Sequence, residues 1–448
     1  MQKTKPQEPE VEPKKSKISG KALSLVRGFK DILPEEQPYW NFLRDIAQNF
    51  ADGYGFGRID LPTLEPLNLF VRGVGKTTDL VEKEMYSFTD QGGEVLALRP
   101  EGTASVARAY IGHGMLNLPQ PVKLWYWAPM FRRERPQSGR LRQHYQFGCE
   151  IIGDQNPVID AQLIAIARNF YRQIGLSDVS IQVNSIGNED SRKAYKQELV
   201  AYYRSKRRML CEDCKRRLTK NPLRLLDCKE EGCLPLRSEA PQIVDWLDEP
   251  SKEHFMRVIG YLDELDVSYV LNPYLVRGLD YYSHTVFEVW PNAETQGSQS
   301  SLCGGGRYDG LIDQLGGRPT PAAGFSLGIE RAITQLKDEN VKVSENPSPE
   351  LFLAQIGDQA KVKAMILFEE LRKHDIRVAE SFARDSLKSQ LALANKLGAR
   401  YALILGQKEV IDGTILVREM DSGVQEVVNF AKIVDDVKRK LNPPAPSA

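Results

Sequence analysis

Residues 131–153, FRRERPQSGRLRQHYQFGCEIIG, place many fixed positive charges between strand-like, aromatic-rich flanks of a polar turn. The arginines are Arg132, Arg133, Arg135, Arg140 and Arg142. A guanidinium group stays charged and its planar fork binds pairs of oxygen atoms, so this hairpin favours a polyphosphate ligand. The alternative is a solvated surface hairpin with scattered salt bridges, which the interleaved aromatic residues disfavour.

Three further segments place polar groups beside glycine turns. They are LRPEGT with Glu101 and Thr103, RGLDYY with Arg277, Tyr281 and Tyr282, and GFSLGIERA with Arg331. Each segment alone could be structural, for instance with Glu101 as a carboxylate at a helix N-terminus. The sequence shows no nucleophile elbow, no Ser-His-Asp order and no metal spacing among its five histidines. It therefore favours chemistry by positioning and charge stabilisation.

Two glycine-bearing segments are only superficially like nucleotide-binding motifs. Residues 71–80, VRGVGKTTDL, lack the first glycine of a phosphate-binding loop, because Phe70 occupies that place. Residues 304–310, GGGRYDG, have the wrong spacing for a dinucleotide fingerprint. These glycines predict either a close approach of a ligand to the backbone or a bulge, and the local sequence does not choose between the two.

Four cysteines have a spacing that could hold a structural zinc ion. Cys211, Cys214, Cys228 and Cys233 follow the pattern C-x2-C, thirteen residues, C-x4-C, in which the last gap is looser than usual. The alternative is a set of reduced cysteines in a small charged insertion. The other two cysteines, Cys149 and Cys303, are isolated, and we expect them to pack beside the cleft.

The composition limits the class of protein. The 448 residues are 41% hydrophobic and 27% charged, and 60 basic residues balance 60 acidic ones. This indicates a globular chain in which nucleic acid would bind local basic patches. No apolar run approaches the roughly 20 residues of a membrane span. Residues 1–23 lack the features of a targeting signal and predict a disordered tail, and the few cysteines indicate a reducing cytoplasm.

The apolar spacing predicts an α+β fold with two folded parts. A helix at Pro38–Phe50 precedes short β-like runs up to about residue 150, which favour an antiparallel sheet with helices on one side. A charged helical insertion follows at about 190–255, and strands resume at 275–290. After a linker at 341–349, the alternating pattern of 350–441 predicts an independent α/β domain, with 442–448 as a tail.

Taken together, these motifs resemble the histidyl-tRNA synthetases, a family of class II aminoacyl-tRNA synthetases. The resemblance rests on RGFKDILP, LRPEGTAS, FRRERPQSGRLRQHYQFGCE, LVRGLDYYSHTVFEV, CGGGRYDGL and GFSLGIERA, and it runs from about Arg27 to Leu441. It implies a class II catalytic domain at 24–340 and an anticodon-binding domain at 350–441. It also implies a homodimer, because the Pro38–Phe50 helix resembles the first class motif.

The family ligates L-histidine to tRNA(His) with ATP, through a histidyl-adenylate intermediate. The resemblance implies that Arg132 and Arg277 are the catalytic cations beside the carboxylate and the α-phosphate, and that Mg²⁺ bridges the phosphates. The residues implied for ATP are Arg132, Glu134, Arg140, His144 and Arg331. Among them, Glu134 would contact the adenine edge, and Arg140 and Arg331 would hold the β- and γ-phosphates.

The resemblance also implies a histidine pocket. Its residues would be Glu101, Gly102, Thr103, Arg132, Gln146, Glu150, Arg277, Tyr281, Tyr282 and Tyr308. Glu150 would accept the imidazole N–H, while Tyr281 or Tyr282 would donate to the other ring nitrogen. Amino acids without two polar ring atoms would leave these buried groups unpaired, which predicts selectivity.

The chain departs from the family pattern at one site residue. His144 stands where the family usually has a phenylalanine that stacks on adenine, so adenine binding could differ in strength or pH dependence. The tip of the hairpin, with Arg135 and Gln137, is the implied contact to the acceptor end of the tRNA.

An alternative function is a catalytically inactive, histidine-binding regulatory subunit of histidine biosynthesis. Such a protein typically lacks the C-terminal domain and loses the ATP arginines, whereas this chain has both. The anticodon-reading candidates in the C-terminal domain are Arg384, Lys388 and Gln390, although a solvated helix face would look the same.

Overall fold

The computed structural model describes residues 23–134, 141–291, 301–344 and 348–441. It divides the chain into two compact units at the boundary between Val343 and Ser344. Among the described residues, no helix combines the length and apolar character that crossing a membrane requires.

The N-terminal unit is built on a mainly antiparallel sheet. Its strands are β1 (Gly57–Arg58), β2 (Leu64–Pro66), β3 (Ser87–Thr89), β4 (Val95–Leu98), β5 (Val122–Phe131), β6 (Gln143–Ile152), β7 (Val179–Ser185), β8 (Val270–Leu271), β9 (Ser283–Pro291), β10 (Cys303–Arg307) and β11 (Ala322–Gly328). In the described chain, eight strands pair in the order β1-β5-β6-β11-β10-β9-β7-β8, and β2-β4-β3 form a small second sheet. Only the edge pairs β1 with β5 and β7 with β8 run parallel in the large sheet, so the predicted antiparallel sheet is confirmed.

Helices surround this sheet. They are α1 (Gln37–Gly53), α2 (Leu67–Gly73), α3 (Thr103–Gly112), α4 (Pro157–Gln173), α5 (Glu189–Ser205), α6 (Glu212–Lys220), α7 (Leu234–Ser238), α8 (Glu249–Glu264), α9 (Leu311–Gln314) and α10 (Ile329–Asp338). The helix predicted at Pro38–Phe50 is α1, and a proline in its first turn fits because the N–H that proline lacks has no intrahelical partner there. The predicted helical insertion corresponds to α5 to α8.

The two faces of the large sheet pack differently. Side chains alternate along β5, so Trp125 and Trp127 pack with α1, α4, α8 and α10, while Tyr126 and Ala128 pack on the opposite face with α2, α3 and the α5 to α7 part of the insertion. The expectation of helices on one side therefore describes only the first face. On the second face, α3 and the insertion leave the centre of the sheet open, and this opening forms the candidate site.

The C-terminal unit is a mixed sheet with helices. Its elements are β12 (Leu351–Gln355), α11 (Asp358–Lys373), β13 (Val378–Glu380), α12 (Leu387–Lys396), β14 (Tyr401–Leu405), α13 (Gln407–Asp412), β15 (Thr414–Glu419), β16 (Gln425–Asn429) and α14 (Ile433–Leu441). The strand order is β13-β12-β14-β15-β16, with parallel pairs at β13-β12-β14 and antiparallel pairs beyond. Residues of β12 are buried on both faces, as expected for a central strand between helices.

Candidate active site

One cavity on the open face of the sheet contains most of the predicted site residues. It encloses about 910 Å³ including its open mouth. The predicted residues that line it are Glu101, Thr103, Arg132, Glu134, His144, Gln146, Arg277, Tyr281, Tyr282 and Arg331. Four separate sequence segments thus meet at one place. Arg135, Gln137 and Arg140 lie outside the described residues.

Glycine residues form the floor of this cavity. The strand register places Gly148, Ser326, Gly304 and Glu288 side by side across β6, β11, β10 and β9. A Cβ atom on Gly148 would collide with the Tyr126 ring, and one on Gly304 would collide with the Arg277 guanidinium. The missing side chains therefore let the Tyr126 ring and the Arg277 guanidinium lie directly against the strand backbones.

The GGG segment also contains a bulge. The register between β10 and β9 shifts at Gly306 and Arg307, and Gly306 has a φ of 153°. The bulge is therefore confirmed at Gly306, whereas a close approach of a ligand to Gly304, which lines the cavity, stays a prediction.

The arginine that follows these glycines is structural. Arg307 is fully buried, and its Nε donates to the Asp160 carboxylate at 3.0 Å. Its Nη1 also donates to the backbone carbonyl of Asp154 at 3.0 Å and to Asp309 at 3.2 Å. A buried guanidinium with this many acceptors fixes β10 against α4.

Arg277 is held by an acidic residue that the sequence analysis missed. Its Nη1 donates to Glu288 Oε1, and its guanidinium lies 5.5 Å from the centre of the Tyr282 ring. Burial opposes the charged form, but the Glu288 carboxylate and the Tyr282 and Tyr281 hydroxyls outweigh this effect and raise the pKa of Arg277. The site therefore contains a permanent cation in a partly buried position.

Two further arginines are anchored through the backbone. Arg132 Nε donates to the carbonyl of Pro100 at 2.8 Å, and Arg331 Nη1 donates to the carbonyl of Ser301 at 2.7 Å. These backbone anchors hold both guanidinium groups in place at the cavity.

Glu101 accepts hydrogen bonds at the start of a helix and also faces the cavity. Its carboxylate accepts the backbone N–H groups of Thr103 at 2.8 Å and Ala104 at 2.9 Å, at the start of α3, and it also lines the cavity. Burial raises the pKa of Glu101, and the two backbone hydrogen bonds oppose that shift. Beside it, Gln146 Oε1 is buried and has no hydrogen-bond partner among the described residues.

Glu150 lies behind the cavity wall instead of lining it. One oxygen accepts the Thr103 hydroxyl at 2.7 Å, and the other accepts the Tyr308 hydroxyl at 2.6 Å. Burial raises the pKa of Glu150 to about 8, against the effect of these two hydrogen bonds. Tyr308 and Gly102 are likewise absent from the lining residues. A direct contact of Glu150, Tyr308 or Gly102 with a ligand remains a prediction.

His144 and Glu330 line the cavity beside the arginines. Burial, together with the charges of Arg132 and Arg331, lowers the pKa of His144 to about 3, so its ring is neutral. Both oxygens of Glu330 accept the Tyr145 N–H at 3.0 Å, and burial raises the pKa of Glu330 to about 7. A neutral aromatic ring beside cations suits a nucleotide base next to its phosphates.

The residues that the sequence analysis missed are Glu288 and Glu330. In the strand SHTVFEVWP, Glu288 is the acidic residue within the apolar run VFEVW. Because side chains alternate along a strand, Glu288 points to the opposite face of the sheet from Phe287. That signal could have identified Glu288. Glu330 directly precedes Arg331, and no feature of the sequence marked it as a site residue.

The cysteines separate into two groups. The Sγ atoms of Cys211, Cys214, Cys228 and Cys233 all lie within 4.8 Å of one another. Cys149 and Cys303 belong to the same core cluster, and of the two only Cys303 also lines the cavity.

One anticodon-reading candidate is buried and hydrogen-bonded within the C-terminal unit. Gln390 is fully buried, donates to the carbonyl of Gln355 at 2.7 Å and accepts its N–H at 3.0 Å. Its side chain ties α12 to β12, so it is not available to a nucleic acid. Arg384 and Lys388 are exposed.

A mainly antiparallel sheet with an arginine-lined cavity on one face is the catalytic fold of the class II aminoacyl-tRNA synthetases. Residues 28–332 match the family model of histidyl-tRNA synthetase, and residues 350–440 match that of the anticodon binding domain. The chain belongs to the histidyl-tRNA synthetase family, and the resemblance found in the sequence is confirmed.

Relatives support this assignment over nearly the whole chain. The histidine–tRNA ligase of Dehalococcoides mccartyi is 48% identical over 415 residues, covering 93% of this chain and 99% of the relative. That of Oceanobacillus iheyensis is 42% identical over 422 residues, covering 94% and 98%. The crystal structure of apo Staphylococcus aureus histidyl-tRNA synthetase superimposes with a TM-score of 0.76 at 36% identity, covering 93% of this chain and 100% of the other.

Proposed function

We propose that this chain ligates L-histidine to tRNA(His) with ATP, through histidyl-adenylate. One observation carries the proposal: Arg132, Arg277 and Arg331, from three distant parts of the sequence, line one cavity above a glycine floor. The relatives named above carry the name histidine–tRNA ligase, which supports the same reaction.

The charges of the cavity suit the first step. The histidine carboxylate must approach the α-phosphate of ATP although both are anions, and the transition state spreads further charge over the phosphate oxygens. Arg132 and Arg277 stabilise that charge, and their anchors to Pro100 and Glu288 fix them before the reaction, so little reorganisation is needed. The carboxylate oxygen attacks phosphorus, and pyrophosphate leaves towards Arg331.

Histidine binds at the part of the cavity that contains acceptors. Its α-ammonium donates to Glu101 and to the unpartnered Gln146 Oε1, while Tyr281 and Tyr282 contact the imidazole. The Thr103–Glu150–Tyr308 hydrogen bonds hold the wall behind these residues. Amino acids that leave these polar groups unpaired bind more weakly.

Mg²⁺ accompanies ATP, and the cavity has suitable donors for it. Glu134 and Glu330 line the same cavity, and carboxylate oxygens are ligands that Mg²⁺ accepts together with phosphates. Bound there, the ion would neutralise charge on the leaving pyrophosphate.

The tRNA binds both units in this proposal. The acceptor end reaches the cavity for transfer of the histidyl group, and the C-terminal unit, which matches an anticodon binding domain, reads the anticodon with exposed residues such as Arg384 and Lys388. The protein acts as a homodimer in the cytoplasm, as the family resemblance implies.

The test is histidine-dependent exchange of labelled pyrophosphate into ATP, followed by transfer of labelled histidine to tRNA(His). We expect exchange with histidine and none with other amino acids, and transfer to tRNA(His) but not to a tRNA of another specificity. Histidine binding without exchange, by folded protein, would support the regulatory subunit and overturn the proposal.

A further inference from the structure

The four cysteines of the insertion form a cluster that the reaction above does not use. Cys211 is the N-cap of α6, Cys214 lies in its first turn, Cys228 follows a 3₁₀ turn, and Cys233 ends another. Their Sγ atoms lie within 4.8 Å of one another, and Cys211 Sγ and Cys228 Sγ are 3.9 Å apart. All four are free thiols.

This arrangement fits a tetrahedral metal site. Four sulfur atoms around Zn²⁺, each with a bond of about 2.3 Å, lie roughly 3.8 Å from one another. The 3.9 Å between Cys211 Sγ and Cys228 Sγ is close to that value, and the other separations reach at most 4.8 Å. A disulfide would instead require two sulfur atoms at about 2.05 Å.

The local backbone supports thiolates at two of the positions. The N–H of Cys214 donates to Cys211 Sγ, and the N–H of Cys211 donates to Cys233 Sγ, both at 3.4 Å. The cluster is also shielded, since Cys214, Cys228 and Cys233 are each less than 5% exposed. We propose that these four cysteines bind one Zn²⁺, with release of the thiol protons as the thiolates coordinate the ion.

The metal site would fix a helix that contacts the active-site wall. Cys211 caps the N-terminus of helix α6, and Asn221 follows its last residue. Asn221 Nδ2 donates to Asp280 Oδ1 at 3.0 Å. Asp280 directly precedes Tyr281, which lines the cavity. The zinc-bound end and the end that contacts the wall are thus joined by one rigid element.

Two ion pairs hold the same helix against a neighbouring segment. Arg217 Nη2 lies 3.1 Å from Asp79 Oδ2, and Lys220 Nζ lies 2.8 Å from Glu82 Oε1. A helix of nine residues is only marginally stable by itself, so its contacts depend on anchors such as the cysteine cluster. The zinc ion is therefore a structural ion that positions the wall of the histidine site, an effect that rests on the proposed function.

Metal analysis tests the site independently of the reaction. Full-length protein, purified without metal-affinity chromatography, is expected to contain one zinc per chain by elemental analysis. Cys214→Ser should lose it, and Cys149→Ala, which removes a buried cysteine outside the cluster, should retain it. Cobalt taken up by metal-depleted protein should give the visible absorption of a tetrahedral thiolate site.

If Cys214→Ser fails to fold, measurements on the wild-type protein alone still decide the test. A folded wild-type chain that contains no zinc, and takes up neither Zn²⁺ nor Co²⁺ under reducing conditions, would overturn the metal site. Failure of the ligation reaction would leave the zinc content unchanged, so the two failures are distinguishable.

Asn221→Ala tests the coupling to the active site. It keeps all four cysteines, so the zinc content should stay at one per chain. Loss of the Asp280 contact should raise the KM for histidine roughly 2- to 10-fold in pyrophosphate exchange, with a smaller change in kcat. Removal of zinc from wild-type protein should raise the same KM at least as much. An unchanged KM in both would contradict the positioning role.

Discussion

The two faces of the large sheet carry different side chains on the same strands. On the core face, Phe147 is fully buried and stacks on Phe170 with ring centres 5.3 Å apart. On the cavity face, the next residue, Gly148, has no side chain, and its strand neighbour is Ser326. One strand thus contributes to stability with one set of residues and to binding with the alternate set.

The difference shows how a stable sheet can contain an open, charged site. The core face is packed with aromatic residues that fill space, while the cavity face has glycines and fixed charges such as Arg277 with Glu288. Substitutions on the two faces should therefore affect different measurements: unfolding for the core face, and catalysis for the cavity face.

The largest effect on stability is expected for Phe147→Ala on the core face. A buried phenylalanine replaced by alanine costs about 3–5 kcal/mol. All five tryptophans lie in the N-terminal unit, so fluorescence-detected urea unfolding reports on this sheet. Phe88→Ala is the matched control, because Phe88 is 46% exposed and should cost less than about 0.5 kcal/mol. Equal effects would contradict the division between the faces.

On the cavity face, Gly304→Ala should affect catalysis far more than stability. The new Cβ would collide with the end of the Arg277 side chain and displace its guanidinium. A misplacement of about 1 Å can lower kcat roughly 100-fold. Gly310→Ala is the control from the same glycine segment, because its Cβ would meet only Gln314 Nε2 at 4.0 Å. Pyrophosphate exchange near the wild-type rate for Gly304→Ala would refute the close approach of the Arg277 guanidinium to Gly304.

Glu288→Gln tests whether Arg277 depends on its acidic neighbour. The amide retains an acceptor but loses the charge that holds the guanidinium, so we expect kcat for adenylate formation to fall about tenfold. Glu239→Gln is the control, because that carboxylate is 67% exposed and pairs with Lys206 outside the cavity. A faster reaction in Glu288→Gln would show that Glu288 restrains Arg277 instead of positioning it.

The sequence was sufficient for the groups that belong to dense local motifs. The arginine hairpin, Glu101 and RGLDYY were assigned to one site through the family resemblance that their motifs carry, and all three contribute residues to one cavity. Long-range pairing was not visible. The role of Glu288 depends on its hydrogen bond from Arg277, which only the fold brings about. The hydrogen bonds of Glu150 with Thr103 and Tyr308 likewise join distant parts of the sequence. The proximity of α6 to Asp280 likewise depends on tertiary packing.

The smallest effect is expected for His144→Phe. Burial holds the pKa of His144 at about 3, below the ordinary 6.5, so its ring is neutral and, in the proposed ATP site, is available to stack on adenine. A phenylalanine should stack better by about 0.5–1 kcal/mol, which lowers the KM for ATP roughly 2- to 5-fold.

The pH dependence of the KM for ATP should be the same in wild type and in His144→Phe. A depressed pKa means that the neutral ring stabilises the fold above pH 6.5, and that this contribution is lost as the pH falls towards about 3. The KM for ATP should therefore vary with pH identically in wild type and His144→Phe from about pH 7 upwards. A wild-type transition near neutrality that disappears in the variant would contradict the neutral imidazole.

The fixed cations of the cavity are the basis of the proposed chemistry, and Arg277→Ala tests them directly. Histidine-dependent pyrophosphate exchange should fall by at least about 10²- to 10³-fold, because the developing charge loses a preorganised donor, while histidine binding stays measurable by calorimetry. Arg58→Ala, at a side chain 52% exposed, should leave the exchange rate unchanged. An Arg277→Ala rate within about threefold of wild type would contradict the central claim.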